Sequence, residues 1–185
     1  MIWNLLLCLL LLPSLACAGQ GMGPGPGFKT YATSGTYYYS TGSDSYPNTD
    51  ITLSTGEAMN SITTAGATGS LTKIGVKVTT KGTANLKVIV FNQSSAIHEC
   101  FTVTNAAMIV GWNELTLATP LAVTSGNTIG IAVASSAANQ TYFTYAAGSS
   151  GLLGTASASY STFCTDSETY SDLGAGPLGV RIYVQ

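Results

Sequence analysis

Lys73-Ile74-Gly75-Val76-Lys77-Val78-Thr79 alternates without a break, with Ile74, Val76 and Val78 on one side and Lys73, Gly75, Lys77 and Thr79 on the other. Successive side chains of a strand point to opposite faces, so this stretch reads as a β-strand with one buried face. Leu86, Val88 and Val90 repeat the pattern against Asn85, Lys87 and Ile89, and Lys81-Gly82-Thr83-Ala84 between the two runs suits a hairpin connection.

The same period extends outward in both directions. Ile51 and Leu53 alternate with Thr52 and Ser54. Downstream come Leu115 and Leu117, then Leu121 and Val123, then Ile129, Ile131 and Val133, with breaks expected at Pro120 and at Ser125-Gly126-Asn127. Tyr142, Phe143 and Tyr145 make another strand, and Leu178, Val180, Ile182 and Val184 close the chain. Thr36-Tyr37-Tyr38-Tyr39 is a short strand with rings on both faces, inside a stretch (28–50) whose Ser, Gly, Pro47 and Asn48 otherwise suggest irregular structure. No segment shows a 3.6-residue period over a helical length. The fold class expected is therefore all-β, an antiparallel β-sandwich of jelly-roll type.

Val110-Gly111-Trp112-Asn113-Glu114-Leu115-Thr116-Leu117, followed by Pro120, Leu121-Ala122-Val123 and Asn127-Thr128-Ile129-Gly130-Ile131-Ala132-Val133, adds a more specific pattern. Its order of Gly-Trp, alternating strand, Pro, short strand, Gly turn and alternating strand resembles that of secreted and phage-tail-associated jelly-roll modules, over roughly residues 70 to 134. The resemblance implies a glycan-binding, adhesive or structural role within a larger assembly.

The N-terminus reads MIWNLLLCLLLLPSLACAG, an apolar run from Leu5 to Leu12 followed by Pro13 and small residues. The run is shorter than the roughly 20 residues that cross a bilayer, and Ala16-Cys17-Ala18 fits a signal-peptidase site, so residues 1–18 read as a secretory leader. No transmembrane span is expected once it is cleaved. Ser14-Leu15-Ala16-Cys17 permits a second reading, lipidation at Cys17 and a membrane anchor. Gly19 to Gly27, GQGMGPGPG, has almost no side chain to bury and reads as a flexible tether. Residues 28–185 are then a single sandwich domain, secreted or held at the cell surface.

Cysteine and charge follow from that address. The mature chain keeps Cys100 and Cys164, an even pair that reads as a disulfide in an oxidising compartment, the alternative being two buried thiols. Only 8% of the 185 residues are charged, against about a quarter in ordinary domains, so hydroxyls and amides must dress the surface. The six Lys and Arg look thinly spread, which argues against nucleic acid. Asn92-Gln93-Ser94 and Asn139-Gln140-Thr141 fit glycosylation sequons and predict exposed loops.

Catalytic chemistry finds little footing. His98 is the single histidine and sits in Ser94 to Cys100, read as a polar connector, with neither G-x-S-x-G nor H-E-x-x-H in the chain. Asp166, Glu168 and Asp172 in CTDSETYSD offer hard oxygen ligands for calcium but match no EF-hand, and a solvated acidic loop reads equally well. No cofactor is expected. Two functional readings follow. One is a structural or adhesive surface module that meets a surface protein, a glycan or copies of itself. The other is a carbohydrate-binding module using Trp112, Glu114, Tyr142, Tyr145, Tyr160 and Tyr170, because sugars take aromatic rings beside hydrogen-bonding acids.

Overall fold

A computed structural model describes residues 34–40, 49–52, 58–137, 142–145, 152–155, 160–165, 171–172 and 177–185. The chain divides after Ala32, and all of the described residues belong to the unit Thr33–Gln185. The expected leader, Cys17 and the tether lie outside them.

The described residues form strands and no helix: β1 (Thr36–Tyr39), β2 (Thr49–Thr52), β3 (Ala58–Thr64), β4 (Gly69–Thr80), β5 (Leu86–Phe91), β6 (Ile97–Val103), β7 (Gly111–Val123), β8 (Thr128–Ser135), β9 (Tyr142–Tyr145), β10 (Leu152–Thr155), β11 (Ser171–Asp172) and β12 (Val180–Val184). One sheet runs β1-β12-β4-β7, and the β9-β2 pair joins it at the far end of β4. The other runs β11-β10-β3-β8-β5-β6, and every pairing in both sheets is antiparallel. The chain crosses between sheets from β3 to β4, β4 to β5, β6 to β7 and β7 to β8, and stays within one sheet for the β5-β6 hairpin. With β1-β12-β4-β7 facing β3-β8-β5-β6, this is the two-sheet jelly roll.

Three local readings of the sequence are corrected. Residues 81–84 do not close a hairpin, because both edges of β4 are already taken, by β12 and by β7. They carry the chain to the other sheet, where Asn105 Nδ2 donates to Gly82 O at 2.6 Å and Asn105 N to Asn85 Oδ1 at 2.7 Å. Pro120 does not end a strand. The register against β4 jumps from Lys73 opposite Thr116 to Leu71 opposite Leu121, so Leu117 to Pro120 form a bulge, where a residue lacking N–H is tolerated. His98 lies within β6 and not in a connector, which ends at the turn where Asn92 Oδ1 accepts from Ser94 N and Ala96 N, each at 2.9 Å.

The alternation read from the sequence fills the space between the sheets. Leu71, Ile74, Val76 and Val78 of β4 and Val180, Ile182 and Val184 of β12 meet Val88, Val90, Ile129, Ile131 and Val133 of the opposite sheet, all buried. Tyr38 turns inward against this core, which leaves Tyr37 and Tyr39 on the other side of β1. A second, smaller core covers the outer face of the β3-β8-β5-β6 sheet. Phe163, fully buried, packs there on Ala58, Ile89, Ala132 and Ala134, with Tyr160, Phe91, Ile97 and Cys100 around it. Cys164 and Cys100 lie at disulfide distance with Cα atoms 5.7 Å apart, fastening that segment to β6. No helix among the described residues is long and apolar enough to cross a membrane.

Candidate functional site

The outer face of the β3-β8-β5-β6 sheet is thus covered by the Phe163 segment, and the outer face of β1-β12-β4-β7 carries a cluster of aromatic and charged side chains. On the β1-β12-β4-β7 face, register places side chains in rows: Tyr39, Arg181, Gly75 and Glu114 in one, and Tyr37, Tyr183, Lys73 and Thr116 in the next. Lys77 lies opposite Trp112 in a third row. Since residues on one face are two apart along each strand, Lys73, Gly75 and Lys77 share the outward side that Ile74 and Val76 leave.

Gly75 decides how this face is organised. Arg181 on β12 and Glu114 on β7 are separated by β4, yet the guanidinium reaches the carboxylate over it, with Nε donating to Glu114 Oε1 at 2.8 Å and Nη2 in contact with the same oxygen. A Cβ at position 75 would stand 3.0 Å from Arg181 Cγ and 3.1 Å from Glu114 Oε1, so the absence of a side chain keeps the bridge open.

Arg181 is also the hub of the aromatic groups. Its Cζ lies 4.2 Å from the ring centre of Tyr37, 4.2 Å from that of Trp112 and 5.8 Å from that of Tyr39. A guanidinium stacks on ring faces without giving up its charge, which makes it suited to this position. Tyr37 donates to Glu114 Oε2 at 3.1 Å, and its ring stands 4.7 Å from that of Tyr183, whose hydroxyl accepts from Gly35 N at 2.9 Å. Desolvation lowers the Arg181 pKa, but the hydrogen bond and charge of Glu114, with Tyr39, outweigh it and hold the group above its ordinary value. Desolvation, then the hydrogen bond to Glu114, raises the Tyr37 hydroxyl. Both groups therefore keep their protons across the neutral range.

Two lysines flank the centre. Lys73 Nζ stands 5.5 Å over Tyr183 and Lys77 Nζ 5.5 Å over Trp112. The cations that look thinly spread in the sequence are thus partly gathered by the fold, with Lys73, Lys77 and Arg181 on one face. Beside it, Trp112, Glu114, Asn113, Leu115, Val103, Ala107 and Ile109 line a shallow depression. Asn113 ties the preceding loop by donating to Ile109 O and accepting from Ile109 N, both at 2.9 Å, and Ile109 and Val110 on that loop are exposed.

No family model matches this chain, and no curated protein matches it. The site must be read from its own geometry.

Of the candidates named from the sequence, Trp112 and Glu114 belong to this face. Tyr160 does not. It lies over the other sheet with its ring 5.0 Å from Lys87 Nζ, and desolvation raises its hydroxyl. Tyr142, Tyr145 and Asp172 lie in strands whose side chains are outside the description, and Tyr170, Asp166 and Glu168 are outside the described residues altogether. Among the described residues no group of three or more His, Cys, Asp or Glu could hold a metal ion. His98 Nε2 donates to Thr119 O at 2.8 Å, and the Glu99 carboxylate accepts from Ala118 N at 2.9 Å, so both serve the β7 bulge.

The sequence alone assigns no role to Arg181 or Tyr183 and places Lys73 and Lys77 only on the polar side of their strand. The available signal was the alternation Val180, Ile182, Val184, which turns Arg181 and Tyr183 outward. What it lacked was that β12 is the neighbour of β1 and β4.

Proposed function

We propose that this chain is an exported, non-catalytic structural or adhesive module that meets its partner through the outer face of β1-β12-β4-β7. The observation that carries the reading is Arg181 held between Tyr37 and Trp112 on the outer face of this sheet, while the outer face of the other sheet is occupied by the Phe163 segment. Aromatic rings and arginine are the side chains that concentrate binding energy at interfaces. The leader and tether read from the sequence would present such a face outside the cell. The commitment of His98 and Glu99 to backbone groups of the bulge supports the non-catalytic reading.

The test is retention of the purified chain on the surface or matrix of the cells that produce it. Wild type should be retained, Trp112→Ala and Arg181→Ala should each lose tenfold or more, and Lys87→Ala on the opposite sheet should behave as wild type. Equal retention of all four proteins would sink the reading. Carbohydrate binding is a second reading, favoured by Trp112 and Glu114 side by side at the rim of the depression. A glycan array beside light scattering separates it from self-association.

A further inference from the structure

We infer that Asn92 is an acceptor for an N-linked glycan. This rests on the reading of the chain as exported, since the modifying enzymes work along the secretory route, and it adds a site that the adhesive face does not use. Position is the first argument. Asn92-Gln93-Ser94 satisfies the acceptor pattern N-x-S/T with no proline at the middle place. It lies at the turn between β5 and β6, where Gln93, Ser94, Ser95 and Ala96 are all exposed and Asn92 is half-buried. Asn92 N donates to Ala96 O at 2.8 Å, and Ser95, with φ at 60°, turns the chain back, so the sequon stands at the tip of a closed hairpin.

The division of labour between the two amide atoms is the second argument. Asn92 Oδ1 accepts from Ser94 N and from Ala96 N, each at 2.9 Å, while its Nδ2 donates to no group among the described residues. Asn105 and Asn113 are the opposite case, because their Nδ2 atoms donate to Gly82 O at 2.6 Å and to Ile109 O at 2.9 Å. Neither of those two begins a sequon. In the modification Nδ2 attacks the anomeric carbon of an oligosaccharide carried on a lipid pyrophosphate. The N–C bond forms, the C–O bond to the pyrophosphate breaks with its electron pair on the leaving oxygen, and the nitrogen gives up one proton to a base of the transferase. The sugar thus replaces one Nδ2 hydrogen and leaves Oδ1 untouched, so the turn keeps both of its bonds.

Where the sugar stands is the third argument. Gln93 Nε2, next to the acceptor, donates to Ala122 O at 2.9 Å and fixes the tip beside the end of β7. Trp112 and Glu114 lie near the other end of that strand, and at about 3.4 Å per residue Glu114 and Ala122 are separated by about 25 Å. A glycan on Asn92 therefore stands clear of the Arg181 and Trp112 cluster. It also brings hydration to a chain of which only 8% is charged and whose formal charge is -2.

The experiment produces the full chain with its own leader in cultured eukaryotic cells and analyses what they secrete. Digestion with peptide N-glycosidase in heavy-oxygen water should lower the mass of most secreted chains and leave a labelled aspartate at position 92 in the peptide map. Asn92→Gln and Ser94→Ala should each lose this glycan, and Gln93→Ala should keep it. Ser94→Ala retains the Ser94 N–H and with it the turn, and the glycosylated wild type should melt no lower than this variant, because Nδ2 has no bond to lose. A secreted chain with Asn92 unmodified, a glycan that persists in Ser94→Ala, or a glycosylated wild type that melts below Ser94→Ala would each overturn the inference. Retention of an unmodified chain inside the cells would overturn it together with the export reading, so the place where the chain is found tells the two failures apart.

Discussion

Arg181 and Glu114 meet across Gly75, two strands apart in the same sheet, and the missing side chain of the central strand is what lets them touch. Both are partly shielded, with side-chain exposures of 13% and 31%, and the arginine is further held by rings on two sides. A double-mutant cycle with Arg181→Ala and Glu114→Ala should therefore give a coupling of about 1 kcal/mol, at the upper end for pairs that solvent can reach. In a Gly75→Ala background the two side chains must shift to clear the new Cβ, and the coupling should fall below about 0.3 kcal/mol. Undiminished coupling in that background would show that the bridge does not depend on the glycine.

The Phe163 segment behaves as a cover held at two points. Phe163→Ala removes a fully buried ring from a small core and should cost about 3 kcal/mol in denaturant unfolding. Cys100→Ser with Cys164→Ser opens a loop spanning 64 residues in sequence and should cost about 2 to 4 kcal/mol. Because both changes release the same segment, the combined variant should lose clearly less than their sum. Strict additivity would mean that ring and bridge act independently.

What was legible in the sequence follows physical locality. The period of two in β4, β8 and β12 is written in adjacent residues, so strands, buried faces and the outward turn of Lys73 and Lys77 could be read directly. The sheet to which β5 belongs could not, because a Lys81 to Asn85 connection has the composition of a hairpin and only the occupied edges of β4 forbid one. Pro120 misled for a similar reason, since a proline normally stops a ladder and the bulge that accommodates it is a property of the pair β4-β7. The site itself is almost wholly non-local: Tyr37, Glu114 and Arg181 come from three strands far apart in the chain, and no spacing rule joins them. The even pair Cys100 and Cys164 was the one long-range contact legible in advance, because chemistry left few partners.

The β7 bulge needs its own protection, because Leu117 to Pro120 cannot complete the ladder with β4. Glu99 accepts from Ala118 N at 2.9 Å and 3.1 Å through its two oxygens, His98 donates to Thr119 O, and Gln93 Nε2 donates to Ala122 O at 2.9 Å. Side chains of the β5-β6 hairpin thus take the place of a neighbouring strand and leave less of this edge open to another chain. Glu99→Ala should abolish slow hydrogen exchange at the Ala118 amide and cost about 1 kcal/mol, while Glu99→Gln should retain most of both. An Ala118 amide that exchanges as slowly in Glu99→Ala as in wild type would show that the carboxylate does not guard it.

Alkaline pH provides a reading of the site from its own protons. Tyr37 titrates above its ordinary value of 10.0, through desolvation first and the hydrogen bond to Glu114 second, so the folded chain holds this proton more tightly than the unfolded one. Above pH 10 the unfolded chain releases the proton first, and stability falls with rising pH wherever the folded state binds more protons. The contribution is therefore complete below pH 10 and is lost as pH climbs through the raised folded value. Tyr160 is raised too, by desolvation, but on the opposite sheet. Urea midpoints between about pH 8 and 11 should decline more steeply for wild type than for Tyr37→Phe, with Tyr160→Phe removing a separate share. The slope is the decisive quantity, because removing the phenol also deletes its bond to Glu114 and lowers the whole curve. Arg181 keeps its charge through this range and only opposes the effect, so a decline that is equally steep in Tyr37→Phe would mean the tyrosine proton is not held by burial and Glu114.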